Sequence, residues 1–104
     1  INIQTVIGQN DDPVFPVNDL DMSVMIYVLH EVTNKVLFLS NLKNYIKDDG
    51  LLVIIERRTN EDSSHIPAFL NSNQVLDLAA RSGFTYLKTD TFLIHDNIYI
   101  FKKK

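Results

Sequence analysis

The stretch from Asp21 to Glu56 constrains the fold more than any other part of the chain. An apolar run, Met22–Leu29, gives way to a polar break at His30–Asn34, a helical stripe, Gly50, and a second apolar run, Leu51–Ile55. Two short strands separated by a helix of this length form a parallel crossover, since parallel strands cannot be joined by a tight turn. Met22–Tyr27 shows no clean alternation, which predicts a strand covered on both faces. Thr33 or Asn34 can cap the helix by accepting an orphan backbone N–H. Val36, Leu39, Leu42 and Ile46, flanked by Phe38 and Tyr45, predict one apolar helix face. Asp48-Asp49-Gly50 is expected to stop that helix, with Gly50 taking the left-handed conformation.

The flanks read more simply. Ile1–Ile7 is β-prone and ends at Gly8, and residues 9–19 are polar and Pro-containing loop chemistry, with Phe15 expected to tuck against the body of the fold. After Leu51–Ile55, residues 56–64 read as a charged loop. Ile66–Leu70 is an apolar segment that Pro67 keeps from regular helix. Asn71 followed by Gln74 has the form of a capping box. The helix that follows presents Val75, Leu76, Leu78 and Ala79 and closes at Ser82-Gly83. Phe84–Ile94 and Ile98–Lys102 predict an antiparallel hairpin around His95-Asp96-Asn97.

At 104 residues the chain is a single domain near the lower size limit for a sheet covered on both faces. A net charge of −3 argues against binding a phosphate backbone, and Lys102–Lys104 reads as a solvated tail. There is no cysteine for a disulfide or thiolate metal site. No apolar run approaches the roughly 18 residues of a membrane span, and no signal peptide is recognisable, so a cytoplasmic protein is the expectation. An N-terminal Ile in place of Met leads to the expectation of further chain upstream. Asp11, Asp12, Asp19 and Asp21 lack the loop spacing that hard cations need, and turn and cap duty accounts for them.

In order and spacing the chain resembles the C-terminal half of the class I S-adenosylmethionine-dependent methyltransferases, of the small-molecule type found in quinone biosynthesis. The resemblance is carried by Phe15-Pro16, Leu20-Asp21, Val28-Leu29-His30-Glu31-Val32, Phe38-Leu39-x-Asn41-Leu42-x-x-Tyr45-Ile46-Lys47-x-x-Gly50, Leu52–Glu56, Ser82-Gly83-Phe84 and Tyr99-x-Phe101-Lys102. It implies an α/β fold, a partial Rossmann-like sheet containing strands 3-4-5-7-6 of the family's 3-2-1-4-5-7-6 order, mostly parallel with a C-terminal antiparallel hairpin. Ile1–Ile7 would be strand 3, Met22–Tyr27 strand 4, Leu51–Ile55 strand 5, and Tyr86–Leu93 and Ile98–Lys102 strands 6 and 7.

The same resemblance implies S-adenosylmethionine as cofactor, with Gln9 and Asn10 beside the adenine and Met25, Ile26 and Tyr27 along its methionine side. It places Glu56 and His65 toward the substrate. His30 and Glu31 lie just past the strand end where open α/β sheets seat their ligands. Either one of them faces the substrate, or His30 bonds the loop and Glu31 complements the next helix dipole. His95 has no assignable chemical role. The departures are equally specific. Gly8, Gly50 and Gly83 are too dispersed to make the family's glycine-rich cofactor turn, the acidic residue after strand 2 has no counterpart, and Gly8-Gln9 replaces a Gly-Asp.

Without strands 1 and 2, strand 4 is left as an apolar edge that invites pairing with another chain. Ile1–Ile7 is then expected to pair elsewhere, to pair with a second copy, or to lack order. Two functions fit. One is methyl transfer to a small molecule by the full-length protein, this half being inactive alone. The other is a non-catalytic module that completes its sheet with another chain, a homodimer through the open edge being one form of it.

Overall fold

A computed structural model of the chain describes residues 18–57 and 70–103. Four strands form one sheet: β1 (Leu20–Ile26), β2 (Ile46–Arg57), β3 (Phe84–Asp90) and β4 (Asp96–Lys103). The spatial order is β1-β2-β4-β3. β1 runs parallel to β2, with Val24 opposite Val53 and Ile26 opposite Ile55, while β4 lies antiparallel between β2 and β3. This is the α/β fold expected from the sequence, in the family order 4-5-7-6 for the described residues. The segment expected to be strand 3, Ile1–Ile7, lies outside them, as do Phe15 and residues 66–69.

Two helices, α1 (Lys35–Leu42) and α2 (Ser72–Arg81), cover one face of the sheet. Phe38, Leu39 and Leu42 of α1 and Val75 and Ala79 of α2 share one buried cluster with Met25, Leu52, Ile54, Tyr99 and Phe101. Burial of this apolar surface is the main stabilising term, on the order of 25 cal/mol per Å² removed from water. Both helix starts obey their capping signals. Asn34 accepts a hydrogen bond from the Leu37 N–H, and Asn71 and Gln74 form a reciprocal capping box. Of the two cap candidates before α1, it is Asn34 that serves. Gly83 closes α2 at φ +91°, the left-handed geometry that favours glycine.

Three expectations are corrected. β1 is not covered on both faces: Ser23 and Met25 face the helices, whereas Met22, Val24 and Ile26 are 48%, 49% and 57% exposed. An apolar run records only that neither face is polar, so it could not distinguish a covered strand from one left bare. α1 stops at Leu42, passes through a 3₁₀ turn at Lys43–Tyr45, and gives way to β2 at Ile46. Ile46 is thus a strand residue, and Asp48-Asp49-Gly50 lies within β2. There Asp49, at φ 68°, and not Gly50, takes the left-handed conformation. Gly50 is needed for closeness instead. A Cβ there would strike the Ile46 side chain and sit 2.8 Å from the Lys47 carbonyl oxygen.

The hairpin turn also shifts. Residues 91–95 form it, while Asp96 and Asn97 belong to β4 opposite Arg57 and Glu56. The sequence signal was misleading because Asp and Asn are the stronger turn formers.

Candidate functional site

The parallel pair ends with its C-termini side by side. The ladder runs one bond past β1, the Tyr27 N–H donating to the Ile55 carbonyl at 2.9 Å. The chain then makes a 3₁₀ turn at Leu29–Glu31, which turns His30 back toward the end of β2. There Leu52, Ile54 and Glu56 alternate onto the covered face, so Glu56 enters the interior at the strand's last inward position. His30 Nδ1 lies 3.0 Å from Glu56 Oε1, with Glu56 fully buried.

Glu56 is not the residue of a charged loop that the sequence suggested. Its period-2 relation to Leu52 and Ile54 was the signal that places it inside. Burial pushes its carboxyl above the ordinary range, and the His30 charge and hydrogen bond pull the other way, as do the backbone N–H groups of His30 and Leu29. Its second oxygen, Oε2, is buried without a hydrogen-bond partner. A carboxylate on Nδ1 fixes that nitrogen as the proton carrier and leaves Nε2 as the basic site.

Glu31 behaves differently. Its side chain is largely exposed and its Oε1 stands 3.9 Å from His30 Nε2, beyond hydrogen-bond range. It precedes α1 by several residues and does not cap it, since that duty falls to Asn34.

Of the residues expected along a cofactor, Met25 is buried in the core beneath the helices. Ile26 and Tyr27 are exposed. Tyr27 is held at φ 57°, an uncommon conformation for a bulky residue, and its hydroxyl donates to Asp96 Oδ2. Asp96 is the register partner of Arg57, so this bond ties the end of β1 across β2 to the base of the hairpin. The link spans 69 residues of sequence and had no local signal.

Behind Glu56 the polar layer continues. Asn97 is the cross-strand neighbour of Glu56, its amide donates to the Tyr99 hydroxyl at 3.2 Å, and that hydroxyl bonds Ser72 Oγ at 2.9 Å. Gln9, Asn10 and His65 lie outside the described residues. No set of His, Asp or Glu among the described residues could hold a metal ion, and no helix among them is long and apolar enough to cross a membrane.

No protein-family model matches the sequence, and no curated protein matches it. Solved structures do. A SAM-dependent methyltransferase from Aquifex aeolicus superposes with TM-score 0.86 at 17% identity, over 99% of this chain and 56% of its own. NcsB1, an O-methyltransferase from neocarzinostatin biosynthesis, gives 0.76 at 19%, over 95% and 33%. The Burkholderia thailandensis 1,6-didemethyltoxoflavin-N1-methyltransferase gives 0.70 at 12%, over 88% and 47%. The chain thus spans about half or less of the length of these proteins. What the likeness establishes is the fold: this chain has the α/β fold of part of the S-adenosylmethionine-dependent methyltransferases.

Proposed function

We propose that this chain serves methyl transfer from S-adenosylmethionine to a hydroxyl of a small molecule, with His30 as general base and Glu56 holding it in its working tautomer. The carrying observation is the buried His30–Glu56 pair at 3.0 Å, at the end of the sheet where open α/β folds receive ligands. One structural neighbour supports the acceptor class: NcsB1, an O-methyltransferase, was solved with S-adenosylhomocysteine and 1,4-dihydroxy-2-naphthoic acid. The cofactor, when bound, supplies an electrophilic methyl group on a sulfonium. His30 Nε2 takes the proton from the acceptor hydroxyl, and the Glu56 carboxyl on Nδ1 stabilises the imidazolium that results. Glu31, largely exposed, has no part in this step.

The residues present hold a cofactor only in part. Ile26 and Tyr27 are exposed, Met25 is buried, and a glycine-rich turn is absent from the sequence. No methyl-transfer step is therefore assigned to these residues alone. Calorimetric titration of the chain with S-adenosylhomocysteine is the test. Saturable binding that weakens in His30→Ala supports the reading. Absence of binding refutes it for this chain as it stands.

A specific observation favours a second reading, an interaction module. Among the described residues β1 has one sheet neighbour, and its free edge carries exposed Met22, Val24 and Ile26. Two copies pairing antiparallel through this edge would make one continuous eight-stranded sheet with these side chains adjacent, a self-complementary contact of the kind twofold dimers use. Sedimentation decides it: a dimer that survives dilution supports the module, and a stable monomer removes it.

A further inference from the structure

The imidazole of His30 is held between two carboxyl groups of opposite character. On the Nδ1 side stands Glu56, 3.0 Å away and fully buried. On the Nε2 side stands Glu31, its Oε1 3.9 Å from that nitrogen and its side chain 74% exposed. Proton removal employs the first of these and not the second. The backbone fixes the arrangement. The 3₁₀ turn is closed by the Glu31 N–H on the Val28 carbonyl at 2.9 Å and by the Val32 N–H on the Leu29 carbonyl at 3.2 Å. Leu29 and Val32, buried on either side of the pair, pin that turn to the core.

The 3.9 Å separation is the informative quantity. Nε2 and Oε1 stand too far apart to bond one another, yet a group hydrogen-bonded to Nε2 at roughly 2.8 Å brings its nearest substituent against the Glu31 carboxylate. Two neighbouring donors of one small molecule fit across the gap, the first bonding Nε2 and the second Oε1. Glu56 cannot receive the second donor, since its Oε1 is taken by Nδ1 and its Oε2 is buried. An acid carried beside the reacting hydroxyl would instead meet a like charge, and juxtaposed like charges reject a wrong ligand.

We infer that Glu31 is a specificity-determining residue, selecting acceptors that carry a second hydrogen-bond donor, O–H or N–H, on the carbon next to the reacting hydroxyl, and turning away those that carry an acid there. The inference rests on the methyl-transfer reading and adds the acceptor class to it. His30 takes the proton of the reacting hydroxyl, whereas Glu31 only accepts a hydrogen bond from its neighbour, and no proton moves to it. A bond to an ionised acceptor is stronger than its neutral counterpart, and it fixes which donor lies on Nε2.

The test uses catechol, phenol and salicylate, rigid probes that place a donor, nothing and an acid beside one hydroxyl. Each is titrated into the full chain and followed by amide and imidazole chemical shifts. Saturable shifts at His30 and Glu31 are expected with catechol, with affinity about tenfold weaker for phenol and weaker still for salicylate. Glu31→Lys is expected to invert the order, salicylate binding ahead of catechol, with its circular dichroism unchanged because the side chain stands in solvent. Asp48→Lys, the same change of charge at a fully exposed position near the other end of β2, is expected to keep the parent order. Equal affinity for catechol and phenol, an unchanged order in Glu31→Lys, or no saturable binding at His30 would each overturn the assignment. Parallel titration with S-adenosylhomocysteine keeps the two ideas apart. Cofactor binding without the probe order removes the role of Glu31 alone, and the probe order without cofactor binding removes the methyl-transfer reading alone.

Discussion

Replacing Glu56 with Gln is the most informative single substitution, because it keeps the shape of a fully buried side chain and removes its titration. Burial raises the folded pKa of Glu56 above the ordinary value of 4.5, with His30 opposing. Between the unfolded and folded pKa values the folded chain holds the proton and the unfolded chain has released it. The contribution of Glu56 to stability is therefore complete below about pH 4.5 and is lost as pH rises through the folded pKa. Where the two states differ by one whole proton, the slope is about 1.4 kcal/mol per pH unit. Glu56→Gln has no such proton, so its stability should be flatter over this window, and its deficit relative to the parent should shrink or reverse as pH rises. Urea midpoints by far-ultraviolet circular dichroism, from about pH 4 to about pH 8 at fixed ionic strength, measure this directly. Parallel profiles for the two proteins would refute the reasoning, because they would mean Glu56 titrates alike in the folded and unfolded chain.

Other substitutions probe the frame around the site. Gly50→Ala forces a Cβ against the Ile46 side chain and two backbone carbonyls and should cost about 1–3 kcal/mol in urea unfolding. Asn71→Ala removes the capping box of α2 and should cost about 0.5–2 kcal/mol, lowering the melting temperature without altering the sheet signal. Leu39→Ala, at a fully buried position under the sheet, should cost about 2–5 kcal/mol by the same denaturant assay.

The frame of the fold was legible because it is written locally. The Met22–Ile55 crossover, the Asn71–Gln74 box and Gly83 each carry their signal within a few residues, and each stands where its chemistry predicts. The candidate site was half legible. His30 was marked by its place after a strand, but its partner lies 26 residues away, and only the parallel register of β1 and β2 brings them together. Glu56 reads as the start of a charged loop when taken with Arg57 and Arg58, and as an interior group when taken with Leu52 and Ile54. Burial by α1 and α2 decides between these, and burial is a property of the whole fold. Tyr27 and Asp96 were invisible as a pair for the same reason: the bond depends on β4 entering the sheet beside β2. The bare face of β1 was missed because apolar side chains look alike in sequence whether or not something covers them.

The sheet order carries a consequence for how this chain can be made. β4, the last of the described strands, sits inside the sheet, and among the described residues β3 joins the sheet only through β4. During synthesis β1, α1 and β2 can dock as soon as they emerge, but β3 has no place in the sheet until Asp96–Lys103 has left the ribosome. Until then the β2 edge, with Leu51 to Ile55, stands open in the nascent chain, and its closure is a late, long-range step of the slow kind. Loss of the final eight-residue strand would therefore release two of the four described strands, leaving β1 and β2 as a crossover pair with the β2 edge bare.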